Sequence, residues 1–125
     1  MKITTGALPI YRQIIDDFEL KIASGRLEPG EKIDSIRSLA LQFQVNPNTI
    51  QKALSELERD GYIYTDRTNG KFVSEDVTHI KQLKNTLMKN ISTEFIVGVK
   101  KFGFDYDETI EYLKEAWEEK HDTNY

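Results

Sequence analysis

Apolar residues open the chain at helical spacing. Ile10, Ile14, Phe18 and Ile22 stand four apart with Tyr11 and Ile15 beside them, the single stripe of an amphipathic helix. Pro9 suits its first position, where a missing N–H costs nothing, and Gly25 suits a left-handed cap at its end. "RLEPGEKI" (26–33) then reads as a simple connector, with Pro29-Gly30 at the centre of a type II turn. A second helix is predicted in "SIRSLALQF" (35–43), capped by Ser35 and burying Ile36, Leu39, Ala40 and Phe43. Its capping box is half made, because Ser38 stands where a glutamate would reach back. Gln44 and Val45 interrupt the pattern. Asn46 caps a third helix with Pro47 at its first position, Ile50, Ala53, Leu54 and Leu57 facing inward, and Gly61 as terminator.

Beyond Gly61 the period shortens. "YIYT" and "KFV" are short β-type runs around "DRTNG", where Asn69-Gly70 signals a hairpin. After Val73 the helical spacing returns and persists, through Ile80, Leu83, Leu87, Ile91, Phe95 and Val99. Gly103 stops that long helix. Asp105 and Glu108 have capping-box spacing for a last one, striped by Ile110, Leu113, Ala116 and Trp117, with the final residues, 118–125, expected to fray. The architecture predicted is mainly α with a small β-wing. An N-terminal winged helix-turn-helix is expected over residues 1–75, and a two-helix C-terminal dimerisation or effector region over 76–125.

Helix, three-residue break, helix and hairpin is the order of a winged helix-turn-helix. Ala40 suits a close helix crossing, and Ile50, ten positions later, suits the lock between the two helices. In such a motif the second helix enters the major groove of DNA tip first. Its opening turns hold Asn48, Thr49, Gln51 and Lys52. Asparagine and glutamine each offer a donor and an acceptor to adenine, and threonine can meet a phosphate or a thymine methyl. Asn48 and Gln51 have no evident packing role and point to DNA contact. Thr49 reads equally as a helix starter, Lys52 equally as a solvated lysine, and Asn46 reads as a cap.

Composition narrows the alternatives. The chain has no cysteine, so disulfides, thiolate metal sites and cysteine nucleophiles are excluded. No apolar run approaches the ~20 residues that span a bilayer, and no secretory signal opens the sequence, so a cytoplasmic location with no membrane partner is expected. Only His79 and His121 exist, far apart and without helical pairing, so no metal or other cofactor is expected. No nucleophile–base arrangement is evident, so no enzymatic activity is expected. The net charge of −4 argues against a polyanionic partner until it is divided. Residues 1–73 are neutral, with ten cationic and ten acidic side chains, and residues 74–125 carry seven against eleven.

Residues 24–73 contain G-x-L-x-P-G-x-K, then S-x-R-x-L-A, then T-I-x-x-A-L-x-x-L-x-x-x-G-Y-I, then G-K-F-V. This ordered set resembles the DNA-binding domain of GntR-type bacterial transcription regulators. The "NPNT" start and short tail are similar to the YtrA subfamily. The resemblance implies DNA contacts by Arg37, Asn48, Thr49 and Gln51, and by the wing-tip residues Arg67, Asn69, Gly70 and Lys71. It also implies a dimeric repressor whose C-terminal helices form the interface. Gln44 occupies a position where the family often has glycine, which implies a left-handed residue or a different turn.

The long apolar stripe after Val77 points the same way, since so small a domain cannot bury it alone. A two-fold homodimer would match an inverted-repeat operator. An unknown small-molecule effector has little room, although Phe104, Tyr112 and Trp117 could frame one between subunits. The competing expectation is a winged-helix module that holds a protein partner without specific DNA binding.

Overall fold

Each helix begins where a side chain or a proline substitutes for missing backbone partners. In the computed structural model, which describes residues 8–120, α1 runs Ile10–Ala23, α2 Ile36–Phe43 and α3 Pro47–Arg59. The hairpin strands β1 (Ile63–Asp66) and β2 (Gly70–Val73) follow, then α4 (Val77–Lys101) and α5 (Tyr106–Lys120). Pro9 sits at the cap of α1, one residue ahead of its expected place, and its carbonyl accepts from the Arg12 and Gln13 amides. Ser35 Oγ accepts from the Ser38 amide at 3.1 Å, and Asn46 Oδ1 accepts from the Asn48 amide at 2.7 Å. Asp105 and Glu108 complete their box in both directions, at 2.9 and 3.2 Å. Of the tail expected to fray, 118–120 are still helical in α5 and 121–125, with His121, lie outside the described residues.

The chain divides into two compact units, Met1–Thr86 and Leu87–Tyr125, so the division falls within α4. In the first, α1 and α2 both pack on α3. Ile14, Ile15, Ile22, Ile50, Leu54, Leu57 and Val73 are sealed from solvent, each worth about 1.5–3 kcal/mol of apolar burial. Ala40 is buried, as a close crossing requires. Phe18 and Phe43 join α1 to α2 with ring centroids 6.2 Å apart. The winged helix-turn-helix is completed by antiparallel pairing of β1 with β2, from Ile63↔Val73 to Asp66↔Gly70.

The segment 26–33 is more than a connector. Its type II turn is present, with Gly30 at φ +80° and the Glu31 amide donating to the Glu28 carbonyl. Beyond it, Lys32 bridges Phe72, the Ile33 amide donates to Lys71 O, and the Val73 amide donates to Glu31 O. The segment thus covers the outer edge of β2. Backbone pairing across forty residues leaves no local trace in sequence, which is why it read as a plain loop.

In the first unit, the start of α4 is held by Asp76, whose Oδ1 caps the His79 amide at 3.0 Å. The His79 ring stacks on Tyr62 at 4.7 Å and its Nε2 lies 2.8 Å from the Asp60 carbonyl oxygen. Leu83 is buried. In the second unit the apolar stripe stays open, with Ile91, Phe95, Ile96 and Val97 on α4 and Leu113 and Trp117 on α5 exposed. Phe104 and Tyr112 pack on each other with centroids 5.3 Å apart.

Candidate nucleic-acid interface

The break between α2 and α3 aims the tip of α3. Gln44 adopts the left-handed conformation, φ 57° and ψ 49°, so the alternative of a different turn is excluded. The amides of Gln44 and Val45 both donate to the Ala40 carbonyl, which closes α2 and turns the chain within two residues. Asn46 then spends its side chain on the cap, and Pro47 starts α3. What remains at the tip is polar and accessible. Asn48 and Gln51 are exposed and Thr49 is half-buried. Gln51 Nε2 rests on Ser55 Oγ at 3.2 Å, an exposed contact.

Asn48, Thr49 and Lys52 meet Ile10 and Tyr11 of α1 around one open concavity of about 390 Å³. The Lys52 ammonium lies over the Tyr11 ring, 3.9 Å from its centroid. Arg37, in the first turn of α2, is exposed. The wing carries Arg67 and Asn69 on its exposed loop and Gly70, also exposed, at the start of β2. The hairpin signalled by Asn69-Gly70 is present, and its loop is shorter than "DRTNG", because Asp66 pairs with Gly70 and leaves three residues between them. Asp66 organises it, accepting from the Thr68 and Asn69 amides and from Asn69 Nδ2 at 2.9, 3.3 and 3.2 Å. Those bonds, the Thr68 amide foremost, hold the Asp66 carboxyl below its ordinary pKa.

Lys71 is differently placed. Its Nζ donates to Thr65 Oγ1 at 2.7 Å and pairs with Glu58 Oε1 at 3.1 Å, while Thr65 donates to the same Glu58 oxygen at 2.7 Å. Thr65 and Lys71 are cross-strand partners, so this triad ties the hairpin to the last turns of α3. The Thr65 bond, then the Lys71 bond and charge, lower the Glu58 pKa. The Lys71 charge is therefore already matched within the protein, whereas Arg37 and Arg67 stand exposed.

The profile of the bacterial regulatory proteins of the gntR family matches residues 10–73. The chain belongs to this family. Its members are regulators and not enzymes. Among relatives of this gntR chain, the HTH-type transcriptional repressor YtrA of Bacillus subtilis (strain 168) is 37% identical over 111 residues. That match covers 88% of this chain and 85% of YtrA. A GntR family transcriptional regulator from Listeria monocytogenes superposes with a TM-score of 0.83 at 38% identity, covering 90% of this chain and 98% of that one. The AraR DNA-binding domain, solved in complex with operator ORE1, superposes with a TM-score of 0.57 at 30% identity. It covers 59% of this chain and is itself covered over 98%.

The sequence reading missed three participants in the geometry of this gntR domain. Tyr11 read as core beside the α1 stripe, yet its ring reaches the α3 tip. Glu58 carried no sequence signal and Thr65 stood only within the β-type run "YIYT", yet they anchor Lys71. Among the described residues no three His, Asp or Glu side chains converge on a cation position, and no helix is long and apolar enough to cross a membrane.

Proposed function

We propose that the protein is a sequence-specific DNA-binding transcriptional repressor that acts as a homodimer on an inverted-repeat operator. The observation carrying this reading is the α3 tip. Asn46 and Pro47 start the helix, which leaves the side-chain amide of Asn48 exposed and that of Gln51 with one exposed contact, to Ser55. Free N–H groups and the helix dipole favour phosphate at that end. Arg37 and Lys52 supply phosphate contacts, Thr49 a phosphate or thymine methyl, and Arg67, Asn69 and Gly70 the wing contacts, with Lys71 mainly bracing the wing. The operator-bound AraR domain and the repressor YtrA support the same reading.

The second unit suits self-association. Ile91 is 63% exposed, Trp117 79% and Leu113 43%, an apolar surface that a symmetric copy would cover. Ile110, Leu113 and Trp117 also line an open hollow of about 370 Å³ with Lys114 and Glu118, which the partner's stripe would fill. This leaves the aromatic residues as interface rather than effector pocket.

Gel-shift titration of the full-length protein against DNA upstream of its own gene, at several salt concentrations, tests the reading. Arg37→Ala should weaken binding to every sequence and lower the salt slope by ~0.9, the loss of one phosphate contact. Asn48→Ala and Gln51→Ala should each cost ~1–3 kcal/mol at particular base pairs and little elsewhere. Unchanged binding in all three variants would refute the recognition surface. Capture of a protein partner with no salt-dependent DNA binding would favour the interaction-module reading.

A further inference from the structure

The concavity at the α3 tip is shared with two residues outside the helix-turn-helix, Ile10 and Tyr11, which open α1. The Tyr11 ring is half-buried, and the Lys52 ammonium lies 3.9 Å from its centroid. A ring's negative face attracts a cation within ~6 Å, so the pair is close. Its framework is rigid. Ile14, Ile15 and Phe18, just beyond Tyr11, are buried where α1 packs on α3. Lysine carries three donors on a flexible stem, and ordering that stem against a phosphate costs rotamer entropy. A lysine already resting on a ring has lost part of that freedom before DNA arrives, and still presents N–H groups away from the ring. Asn48 and Thr49, on the same concavity, place this ammonium beside the side chains assigned to base edges and phosphate.

We infer that Tyr11 is a positioning residue of the DNA interface, its ring a platform that presents the Lys52 ammonium to a backbone phosphate beside the α3 tip. This rests on α3 being the recognition helix and extends the interface onto α1. It also gives a specific role to Lys52, which sequence left equally readable as a solvated lysine.

The test compares full-length wild type, Tyr11→Phe, Tyr11→Leu, Lys52→Met and the Tyr11→Leu/Lys52→Met pair on DNA selected by the wild type, with Arg37→Ala as reference. Tyr11→Leu should weaken binding about two- to fivefold, the equivalent of an exposed cation–π contact. Tyr11→Phe should match wild type because the ring is kept. Lys52→Met should lower the salt slope by ~0.9, and adding Tyr11→Leu to it should change nothing further. In the free protein, NMR should show Lys52 side-chain protons shifted upfield by the ring in wild type and Tyr11→Phe, and unshifted in Tyr11→Leu. Equal losses in Tyr11→Phe and Tyr11→Leu would overturn the platform in favour of a hydroxyl contact. Additive losses in the double variant, or tighter binding by Tyr11→Leu, would overturn it as well. A loss in Arg37→Ala with none in Tyr11→Leu overturns the platform alone, while failure of the wild type to select any DNA overturns the recognition surface too.

Discussion

Gln44 is a left-handed residue that carries a Cβ, and replacing it with glycine should stabilise the fold. At φ 57° and ψ 49° a side chain crowds the following carbonyl, at a cost of roughly 1–2 kcal/mol. Glycine removes that cost but brings more backbone entropy to the unfolded chain, which offsets about 0.5–1 kcal/mol. The Gln44 side chain is exposed, and the amides bonded to Ala40 O belong to the backbone, so both bonds survive. The net expectation for Gln44→Gly is a gain of about 0.5–1 kcal/mol, or roughly 2–8 °C in Tm for a domain of this size. The single tryptophan, Trp117, lies in the other unit, so its fluorescence is the wrong probe. Urea unfolding by far-UV circular dichroism, with hydrogen exchange at the Val45 and Leu54 amides, reads the change where it acts. Gln44→Val should destabilise instead, because a branched Cβ fits this conformation poorly. A loss of stability in Gln44→Gly, as glycine causes in regular backbone, would refute the assigned strain.

The remaining expectations concern single contacts. Asn46→Ala removes the cap on the Asn48 amide and should cost ~1 kcal/mol in denaturant unfolding, with DNA affinity falling as the α3 tip loosens. Burial raises the Glu19 pKa above its ordinary 4.5, partly opposed by Arg12 and reinforced by Asp16 and Asp60. A raised carboxyl pKa means ionised Glu19 costs stability at neutral pH and nothing once pH is below the unfolded value. Glu19→Gln should therefore stabilise at pH 7, and the gain should vanish in unfolding curves taken below about pH 4.5. Glu58 has the opposite sign, its pKa lowered by Thr65 and Lys71, so its contribution is present above 4.5 and is lost as pH falls through the folded value. Thr65→Val should flatten that acid-side loss and speed hydrogen exchange in the hairpin.

Local chemistry was legible in the sequence. Ser35, Asn46, and the Asp105–Glu108 box act within three residues of themselves, and each caps the helix that the pattern assigned to it. The apolar stripes of α1, α2 and α3 likewise form most of the core, since helical period decides which face is buried. Ile10 and Ile36, at the first turns where a helix runs past its neighbour, stay exposed and half-buried respectively. Contacts between distant segments were not legible. The pairing of 30–33 with β2, the Tyr11–Lys52 stack and the Glu58–Thr65–Lys71 triad each depend on a crossing that no local period encodes. The wing shows the boundary between the two cases. A hairpin was evident from Asn69-Gly70, but its three-residue loop depends on the Asp66 carboxylate, which had read only as part of a polar turn.

Selection of bound sites from random DNA, run in parallel with wild type and Asn48→Ala, bears most directly on the proposal that the α3 tip reads bases twice in a symmetric dimer. The expected wild-type result is an inverted repeat with half-sites separated by whole helical turns of ~34 Å, and Asn48→Ala should lose preference at one matched position in each half. A single unrepeated motif, or a repeat whose every position survives Asn48→Ala unchanged, would contradict it.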